Sequence, residues 1–403
     1  MAIYKILFHP LEAYFFGDEG SFSTGVENAE YFITSRLFPS QTTLFGILRY
    51  LNLRHLKDRG TYSPEEKKEN IQAIGKKSFC MRTAIDLDNK NTEKNTEQNF
   101  GMIKAISSVF LHEYDLQNKV NRIYLPLPKD ALSDDKFYIS VFAKGEEKIN
   151  TLHGEKLRPL GYDAKKGLGK GFISIDAGIN DFGEEENGEL NVIKSPFEYV
   201  LKTGLRINKK RQSTQSDDNQ EPMSSLFKKE YVRLRQEIEQ REFSFGIYAQ
   251  IEDDEDDREE EVLDRLNRVV GMGLGSALFR VKTQKVEEEA KKRLEDNLVL
   301  KVDKIFEAHP KKENLVYCIS PCYVANPKYF LEKVQFSSID TIASRPMSSG
   351  NIDKVWKKES TLYRMLDAGS ILIVESSDEG LEILDKKGLQ QIGYNHYYMG
   401  GKK

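Results

Sequence analysis

Residues 202–211 carry five cationic side chains and no acidic one. Residues 208–222, which overlap the end of this segment, contain no apolar side chain. Cations spaced along a polar segment are suited to contact successive phosphate groups of a nucleic-acid strand. A polar connection of this length inside a compact chain is usually either functional or disordered. Apolar residues flank it on both sides, which favours a projecting arm whose two stems are anchored in a domain.

Two interpretations of this arm follow from its composition. Charge alone favours a solvated surface loop. The alternative is an arm that lies along a nucleic-acid backbone, with the stems holding it in place. Under this alternative, the predicted contact residues are Arg206, Asn208, Lys209, Lys210 and Arg211.

A second set of polar groups lies at the start of a predicted helix within residues 35–57. Apolar side chains recur there with helical spacing, at Leu44, Ile47, Leu48 and Leu51, and Ser40 is a suitable N-cap. The first backbone N–H groups of a helix lack partners within the helix. Together with the hydroxyls of Ser40, Thr42 and Thr43 they form a natural place for a phosphate. A simple cap above a buried apolar stripe is the alternative.

A glycine-containing segment, residues 271–282, follows a predicted helix with an apolar stripe that extends from Val262 to Val270. We expect Gly271 to occupy the C′ position of that helix. The glycines that follow would let a backbone approach a ligand closely, and Ser276, Arg280 and Lys282 supply polar groups to it. The predicted contact residues are Gly273, Gly275, Ser276 and Arg280. Helix, glycines and strand in this order are the reverse of the Rossmann arrangement, which argues against a dinucleotide.

The charge distribution is compatible with a polyanionic ligand although the net charge of the 403 residues is −4. Residues 252–261 carry nine acids and one arginine, a local charge of −8, so the rest of the chain carries −4 − (−8) = +4. This acidic run is either a magnesium site or a solvated segment, and such density favours the second. Three cysteines do not form a disulfide framework or a zinc motif, and we expect no metal or cofactor.

No apolar run approaches the length of a membrane span, and the first residues resemble a strand more than a signal peptide. We therefore expect a cytoplasmic protein with reduced cysteines. Residues 2–8 and 241–251 are predicted strands, and residues 59–101 a polar surface insertion. The recurrence of strand, helix, glycine loop and strand near both ends predicts an α+β fold with two ferredoxin-like units. Predicted boundaries are 1–200, 201–240 for the basic arm, and 241–403.

Four segments resemble, in family order, motifs of the subunit-three family of the Cmr effector complex, a RAMP family of type III-B CRISPR systems. They are HPLEAYFFGDEGSF (9–22), SRLFPSQTTLFGILRYL (35–51), TGLRINKKRQSTQSDDNQEPMSSLFKKEYVRL (203–234), and AGSILIVE (368–375) with GLQQIGYNHYYMGG (388–401). The resemblance implies two ferredoxin-like (RNA-recognition-like) domains, a projecting β-hairpin arm and glycine-rich loops. It adds Gln41, Arg49, Gly393 and Tyr394 to the predicted RNA contacts, with Arg49 placed away from the apolar stripe of its helix.

The implied function is a non-catalytic, RNA-binding subunit that holds the 5′ handle of the CRISPR RNA. Its implied partners are the Cas10-type large subunit and the backbone RAMP subunit. One alternative is a RAMP endoribonuclease that cuts repeat RNA with His55 as the general base, although a histidine at a helix end is more often structural. Another is the equivalent subunit-four protein of a Csm complex.

Overall fold

The computed structural model describes residues 1–17, 32–58, 72–75, 79–89, 98–134, 137–162, 168–176, 192–205, 207–208, 213–214, 226–235, 240–252, 259–344, 347–348, 357–358, 361–376 and 384–401. The described chain is a mixed α/β structure in which strands predominate and most helices are short.

The helices are α1 Gln41–Asp58, α2 Met81–Asn89, α3 Glu259–Leu266, α4 Glu288–Lys291, α5 Asp303–Phe306, α6 Pro327–Lys333 and α7 Lys387–Gln390, with 3₁₀ turns at Asp296–Leu298 and Lys312–Asn314. The strands are β1 Ala2–Pro10, β2 Phe16–Gly17, β3 Phe32–Arg36, β4 Ile103–Ile106, β5 Phe110–Asp115, β6 Val120–Pro126, β7 Ala131–Asp134, β8 Phe137–Ser140, β9 Glu146–Thr151, β10 Gly154–Pro159, β11 Phe172–Ser174, β12 Val192–Ile193, β13 Phe197–Leu205, β14 Ile207–Asn208, β15 Ser213–Thr214, β16 Leu226–Leu234, β17 Arg241–Ile251, β18 Val269–Met272, β19 Ala277–Lys285, β20 Leu315–Cys318, β21 Cys322–Tyr323, β22 Val334–Ser338, β23 Thr341–Ser344, β24 Met347–Ser348, β25 Lys357–Lys358, β26 Tyr363–Leu366, β27 Ile371–Val374 and β28 Tyr397–Met399.

The largest sheet has nine strands in the order β12-β11-β6-β5-β17-β1-β19-β18, with β4 also paired to β17. Strand β1 lies between β17 and β19 and is antiparallel to both. The predicted strands at residues 2–8 and 241–251 are thereby confirmed. Because β1 bonds to strands from beyond residue 240, the sheet joins the two segments that the sequence prediction assigned to separate domains.

One face of this sheet is covered by helices. Tyr4, Ile6 and Phe8 alternate along β1 and are fully buried on that face. They belong to a core that includes Leu44 and Leu48 of α1 and the apolar side of α3. The predicted apolar stripe of α1 is confirmed. The opposite face packs partly against the C-terminal segments through a second core.

A four-stranded sheet in the order β13-β16-β3-β2 contains the two stems of the predicted arm. β13 and β16 are antiparallel and pair without a break from Phe197↔Leu234 to Leu205↔Leu226. Beyond them the short strands β14 and β15 pair with each other. The stems are thus a β-hairpin, and Arg206, Lys209, Lys210 and Arg211 lie outside the described residues. That the arm projects from the body stays a prediction.

The C-terminal part forms the sheets β22-β27-β20-β28 and β21-β26-β23. The cysteines Cys318 and Cys322 lie in neighbouring strands of this region, buried and free. The coarser predicted class, α and β elements with largely antiparallel sheets, is confirmed. The assignment of two ferredoxin-like domains stays a prediction.

Two local predictions are wrong. Gly271 does not end a helix, because α3 ends at Leu266 and Gly271 pairs with Leu278 in the β18–β19 hairpin. Val269 and Val270 fit a helical spacing, but their alternation between an exposed and a buried face is that of a strand. The prediction that residues 59–101 form a surface insertion is also wrong in part, since Phe79 and Met81 are buried in the main core.

Candidate nucleic-acid interface

Two lysines lie opposite each other on β13 and β16, the stem strands of the predicted arm. Lys202 of β13 and Lys229 of β16 are direct cross-strand partners. Like charges in this position repel each other and destabilise a strand pair. The ammonium of Lys202 lies 4.4 Å from the ring centroid of Tyr231, and that of Lys229 lies 5.5 Å from the ring centroid of Phe15. The rings offset part of the repulsion, and a bound anion would remove more of it.

The surroundings of this pair are also basic. Lys228, next to Lys229, is exposed and points to the other face of the hairpin. Arg233 lies further along β16 and forms an ion pair of 2.6 Å with Glu198, so its charge is already compensated. The sequence prediction did not include Lys202, Lys228, Lys229 or Tyr231 among its contact residues. In the segment FKKEYVRL (227–234), every second residue is in turn aromatic or basic, and this pattern was the signal for a basic, aromatic strand face.

Strand β3 connects this stem to helix α1. It runs parallel to β16, with Lys229 opposite Ile33, and α1 begins five residues after β3 ends. The connection is anchored by the hydroxyl of Tyr14, which donates to the carbonyl oxygen of Leu37 at 3.0 Å. The ring of Phe38 packs against Phe197, the first residue of β13, at 5.6 Å between ring centroids. These contacts fix the position of the stem strands relative to the N-terminus of α1.

The N-terminus of α1 has the predicted cap. Ser40 Oγ accepts a hydrogen bond from the backbone N–H of Thr43 at 3.2 Å. The hydroxyls of Thr42 and Thr43 lie 3.1 and 2.9 Å from Ser40 Oγ. No acidic residue occupies the first turn, so no side chain of that turn neutralises the positive end of the helix dipole. These half-buried hydroxyls can still donate a hydrogen bond to a phosphate oxygen.

The structure places two predicted contact residues of α1 in the interior. The Gln41 side-chain N–H donates to the carbonyl oxygens of Ser107 at 3.0 Å and Gly393 at 2.8 Å. Arg49 is buried, and its Nε–H donates to the carbonyl oxygen of Ile74 at 2.9 Å. Burial lowers the pKa of Arg49 to about 10. The sequence placed Arg49 away from the apolar stripe, and the structure buries it against a different segment, where its guanidinium satisfies the carbonyl of Ile74.

The glycine turn at Gly273–Ser276 connects β18 to β19. Gly273 has a φ of +76°, and a Cβ there would lie 2.5 Å from the carbonyl oxygen of Phe15. Leu274 N–H donates to that oxygen at 2.9 Å, which anchors the turn beside the aromatic residues under the arm. Gly275 has a φ of +100° and open space around it, and Ser276 also has a positive φ. Arg280 is exposed on β19, on the sheet face opposite the main core.

The C-terminal glycine turn is an internal junction. Gly393 has a φ of +81°, and an added Cβ would lie 2.0 Å from Gln41 Nε2 and 2.3 Å from the carbonyl oxygen of Ser107. Tyr394 is buried within the main core. Asn395 donates to the carbonyl oxygens of Tyr323 and Leu384, each at 3.0 Å. In this arrangement Tyr394 has no exposed face on which a base could stack.

His396 completes this junction. Its Nδ1 accepts from the N–H of Ser108 at 3.3 Å, and its Nε2–H donates to the carbonyl oxygen of Gln390 at 2.9 Å. These two bonds require the neutral ring. Burial lowers the pKa of His396 to about 4. The junction ties the C-terminus to the start of α1 and to the β4–β5 connection.

Ser140, Asp130 and His309 lie together, but not in the order of a catalytic triad. Ser140 Oγ donates to Asp130 Oδ2 at 2.8 Å, and His309 Nε2 lies 2.8 Å from the same oxygen. The carboxylate separates the hydroxyl from the imidazole, whereas an activated serine needs the imidazole between them. All three residues are buried away from a substrate. His55 lies in the last turns of α1, as predicted.

No group of three or more histidine, cysteine, aspartate or glutamate side chains in the described part of the chain could hold a metal ion. Likewise, none of the helices in the ranges given above is long and apolar enough to cross a membrane.

Comparison with known proteins identifies the family. The model of the family "CRISPR-associated protein (Cas_Cmr3)" matches residues 6–402. The chain belongs to this family. It is accordingly a member of the type III-B Cmr group of CRISPR proteins, as the four resembling segments predicted.

Two solved structures are similar to the chain. A chain of the type III-B Cmr-beta complex bound to cognate target RNA, solved by cryo-electron microscopy, is 15% identical, with 98% of this chain and 96% of that chain covered and a TM-score of 0.46. A chain of the apo state of Cmr-beta is 11% identical, with 71% and 98% covered and a TM-score of 0.26. No curated protein matches the chain.

Proposed function

We propose that the chain is a non-catalytic RNA-binding subunit of a type III-B effector complex, in which it holds the 5′ handle of the CRISPR RNA. The observation that carries this proposal is the cross-strand pair Lys202–Lys229, placed over two aromatic rings on the arm stem. Two cations held side by side create a potential that a single phosphodiester chain neutralises.

The neighbouring elements extend this surface. Strand β3 leads from the stem to the N-terminus of α1, where Ser40, Thr42 and Thr43 offer hydroxyls at the positive end of a helix dipole. We propose that the RNA backbone follows the arm, including Arg206, Asn208, Lys209, Lys210 and Arg211, and ends at this helix terminus. A handle with unpaired bases suits such a site, because single strands are bound through phosphates and stacked rings.

Family membership supports the proposed partners. A subunit of a Cmr complex meets neighbouring subunits, and we propose the Cas10-type large subunit and the backbone RAMP subunit for this chain. Assembly in the cytoplasm, without a cofactor, is part of the same proposal.

The proposal is tested by the salt dependence of RNA binding. Each lost phosphate contact to a single strand flattens the plot of log K against log salt by about 0.7. Replacing Lys202 and Lys229 by alanine should therefore flatten it by about 1.4, measured by fluorescence anisotropy with a handle-containing RNA. A matched double alanine variant at the exposed Lys144 and Lys301 should keep the wild-type slope. An unchanged slope in the arm variant would contradict the proposal.

The absence of catalysis is tested separately. We expect the purified chain to leave repeat RNA intact over hours at micromolar concentration. A RAMP endoribonuclease would cut it at one position and would lose that activity in His55→Ala, since the reaction needs a general base. Cleavage that depends on His55 would replace the proposed function by the enzymatic alternative.

A further inference from the structure

The β18–β19 hairpin presents one face of the nine-stranded sheet to solvent. Along β19 the residues alternate strictly, with Ala277, Phe279 and Val281 buried and Leu278 and Arg280 exposed. β18 is the last strand of the sheet, and its exposed residues share the face of Leu278 and Arg280. The helices α1 and α3 cover the buried side, and the outer face carries the exposed residues of both strands.

Three large apolar side chains lie on or beside this outer face. Their exposed fractions are Leu278 48%, Val269 47% and Leu11 45%. Leu11 N–H donates to the carbonyl oxygen of Leu278 at 2.9 Å, and Val269 is the diagonal neighbour of Leu278 across the hairpin. A contiguous exposed apolar patch marks an interaction site more often than scattered apolar residues do.

Two cations border the patch, and the Glu12 carboxylate beside it accepts from the backbone N–H of Leu278 at 2.9 Å. The cross-strand neighbours of Arg280 are His9 and Val269, and Lys282 lies opposite Leu7. Among the described residues, neither Arg280 nor Lys282 forms an ion pair. Burial and these two cations lower the pKa of His9 to about 4, so its ring is neutral at neutral pH. The His9 Nε2 atom is buried and has no hydrogen-bond partner in the structure.

We infer that this basic-apolar face, formed by Leu11, Val269, Leu278, Arg280 and Lys282, docks a protein surface whose apolar centre is flanked by carboxylates. Aliphatic side chains need an apolar counterpart that excludes water, and the two cations need acidic partners. Apolar residues bordered by arginine are typical of the core of a protein interface. The inference rests on the proposed assembly with neighbouring subunits and assigns Arg280 to protein contact instead of RNA contact.

Two other occupants fit the face less well. Aliphatic side chains offer an RNA base neither a stacking ring nor a hydrogen bond, so RNA would leave the apolar cluster exposed. A second copy related by a two-fold axis would meet this face with an identical face, which brings two more cations and no carboxylate among the residues of the face. That arrangement adds repulsion where the face requires negative charge.

The test is reconstitution with the purified large subunit and the purified backbone subunit of the same effector, one at a time. Leu278→Asp and the double variant Arg280→Glu/Lys282→Glu should each weaken binding of one subunit about tenfold or more. The loss in the charge variant should shrink at high salt, whereas the loss in Leu278→Asp should persist. Leu278→Thr keeps a strand-compatible side chain and should show a smaller loss in the same direction.

Matched controls are Leu152→Asp, at a fully exposed leucine of the β9–β10 hairpin, and Lys301→Glu, at an exposed lysine. Both should bind like the wild type, and all variants should keep the RNA affinity of the wild type. Reduced RNA affinity with normal subunit binding would assign the face to RNA and overturn the inference. A wild-type dimer that Leu278→Asp dissociates would overturn it in favour of a second copy.

Equal binding of wild type and variants would also overturn the inference while leaving the proposed function intact. A wild-type chain that binds neither subunit would instead contradict the proposed assembly itself, and with it this assignment.

Discussion

Replacing Gly393 by alanine is expected to lower the free energy of unfolding by about 3 kcal/mol. Part of this loss comes from forcing a side chain into the left-handed region, which costs about 1–2 kcal/mol. The rest comes from overlap with Gln41 Nε2 and the carbonyl oxygen of Ser107, which an added Cβ would approach to 2.0 and 2.3 Å. Urea denaturation followed by circular dichroism measures the change.

Gly275→Ala is the matched control for this prediction. Gly275 also has a positive φ, of +100°, but no atom lies within 4 Å of an added Cβ. Its loss should therefore be limited to the conformational part, about 1–2 kcal/mol. Equal losses in the two variants would show that the junction around Gly393 is not tightly packed. If Gly393→Ala were stable but bound RNA less tightly, the turn at Gly393 would have to be assigned to the RNA-binding surface.

Acidification from pH 7 to pH 5 is expected to destabilise the protein by about 4 kcal/mol through two buried histidines. Burial, followed by the nearby Lys5, lowers the pKa of His112 to about 3, and burial lowers that of His396 to about 4. In the unfolded chain a histidine binds its proton near pH 6.5. As the pH falls below 6.5 the unfolded state therefore gains protons first, which costs the native state about 2 kcal/mol per histidine at pH 5.

Urea midpoints measured from pH 7 to pH 5 test this prediction. The double variant His112→Gln/His396→Gln removes both titrations, so its stability should fall by about 4 kcal/mol less over the same interval. The loss that remains comes from His9, whose pKa is also lowered to about 4 by burial and two nearby cations. Glutamine at position 396 can still donate to Gln390 and accept from Ser108, the two partners of the imidazole. His153→Gln, at an exposed histidine, should leave the wild-type slope unchanged. A pH-independent wild type would contradict the assigned neutral rings.

The candidate site was partly predictable because charge and alternation are visible in the chain itself. The run of cations after Lys202 indicated the arm, and Ser40 with the leucines that follow indicated α1. Lys229 and Tyr231 escaped notice because their importance depends on register. Only the pairing of β13 with β16 shows that Lys229 faces Lys202.

Glycines misled the prediction for a related reason. A positive φ marks a turn but does not tell whether the turn approaches a ligand or another part of the same chain. Around Gly393 the close neighbours are the protein's own Gln41 and Ser107. Arg49 illustrates the same limit, since a guanidinium with one interior carbonyl to satisfy looks like a surface cation in the sequence.

The amino-acid sequence alone determined the family, the strands β1 and β17, and helix α1 with its cap. These features depend on local spacing, which the chain carries without reference to distant residues. Tertiary structure decided which polar residues are interior and which are exposed. It joined β1 to β17 and β19, buried Gln41, Arg49 and Tyr394, and left the outer face of β19 open. Burial and cross-strand partnership arise from contacts between residues far apart in the chain, and local patterns do not encode them.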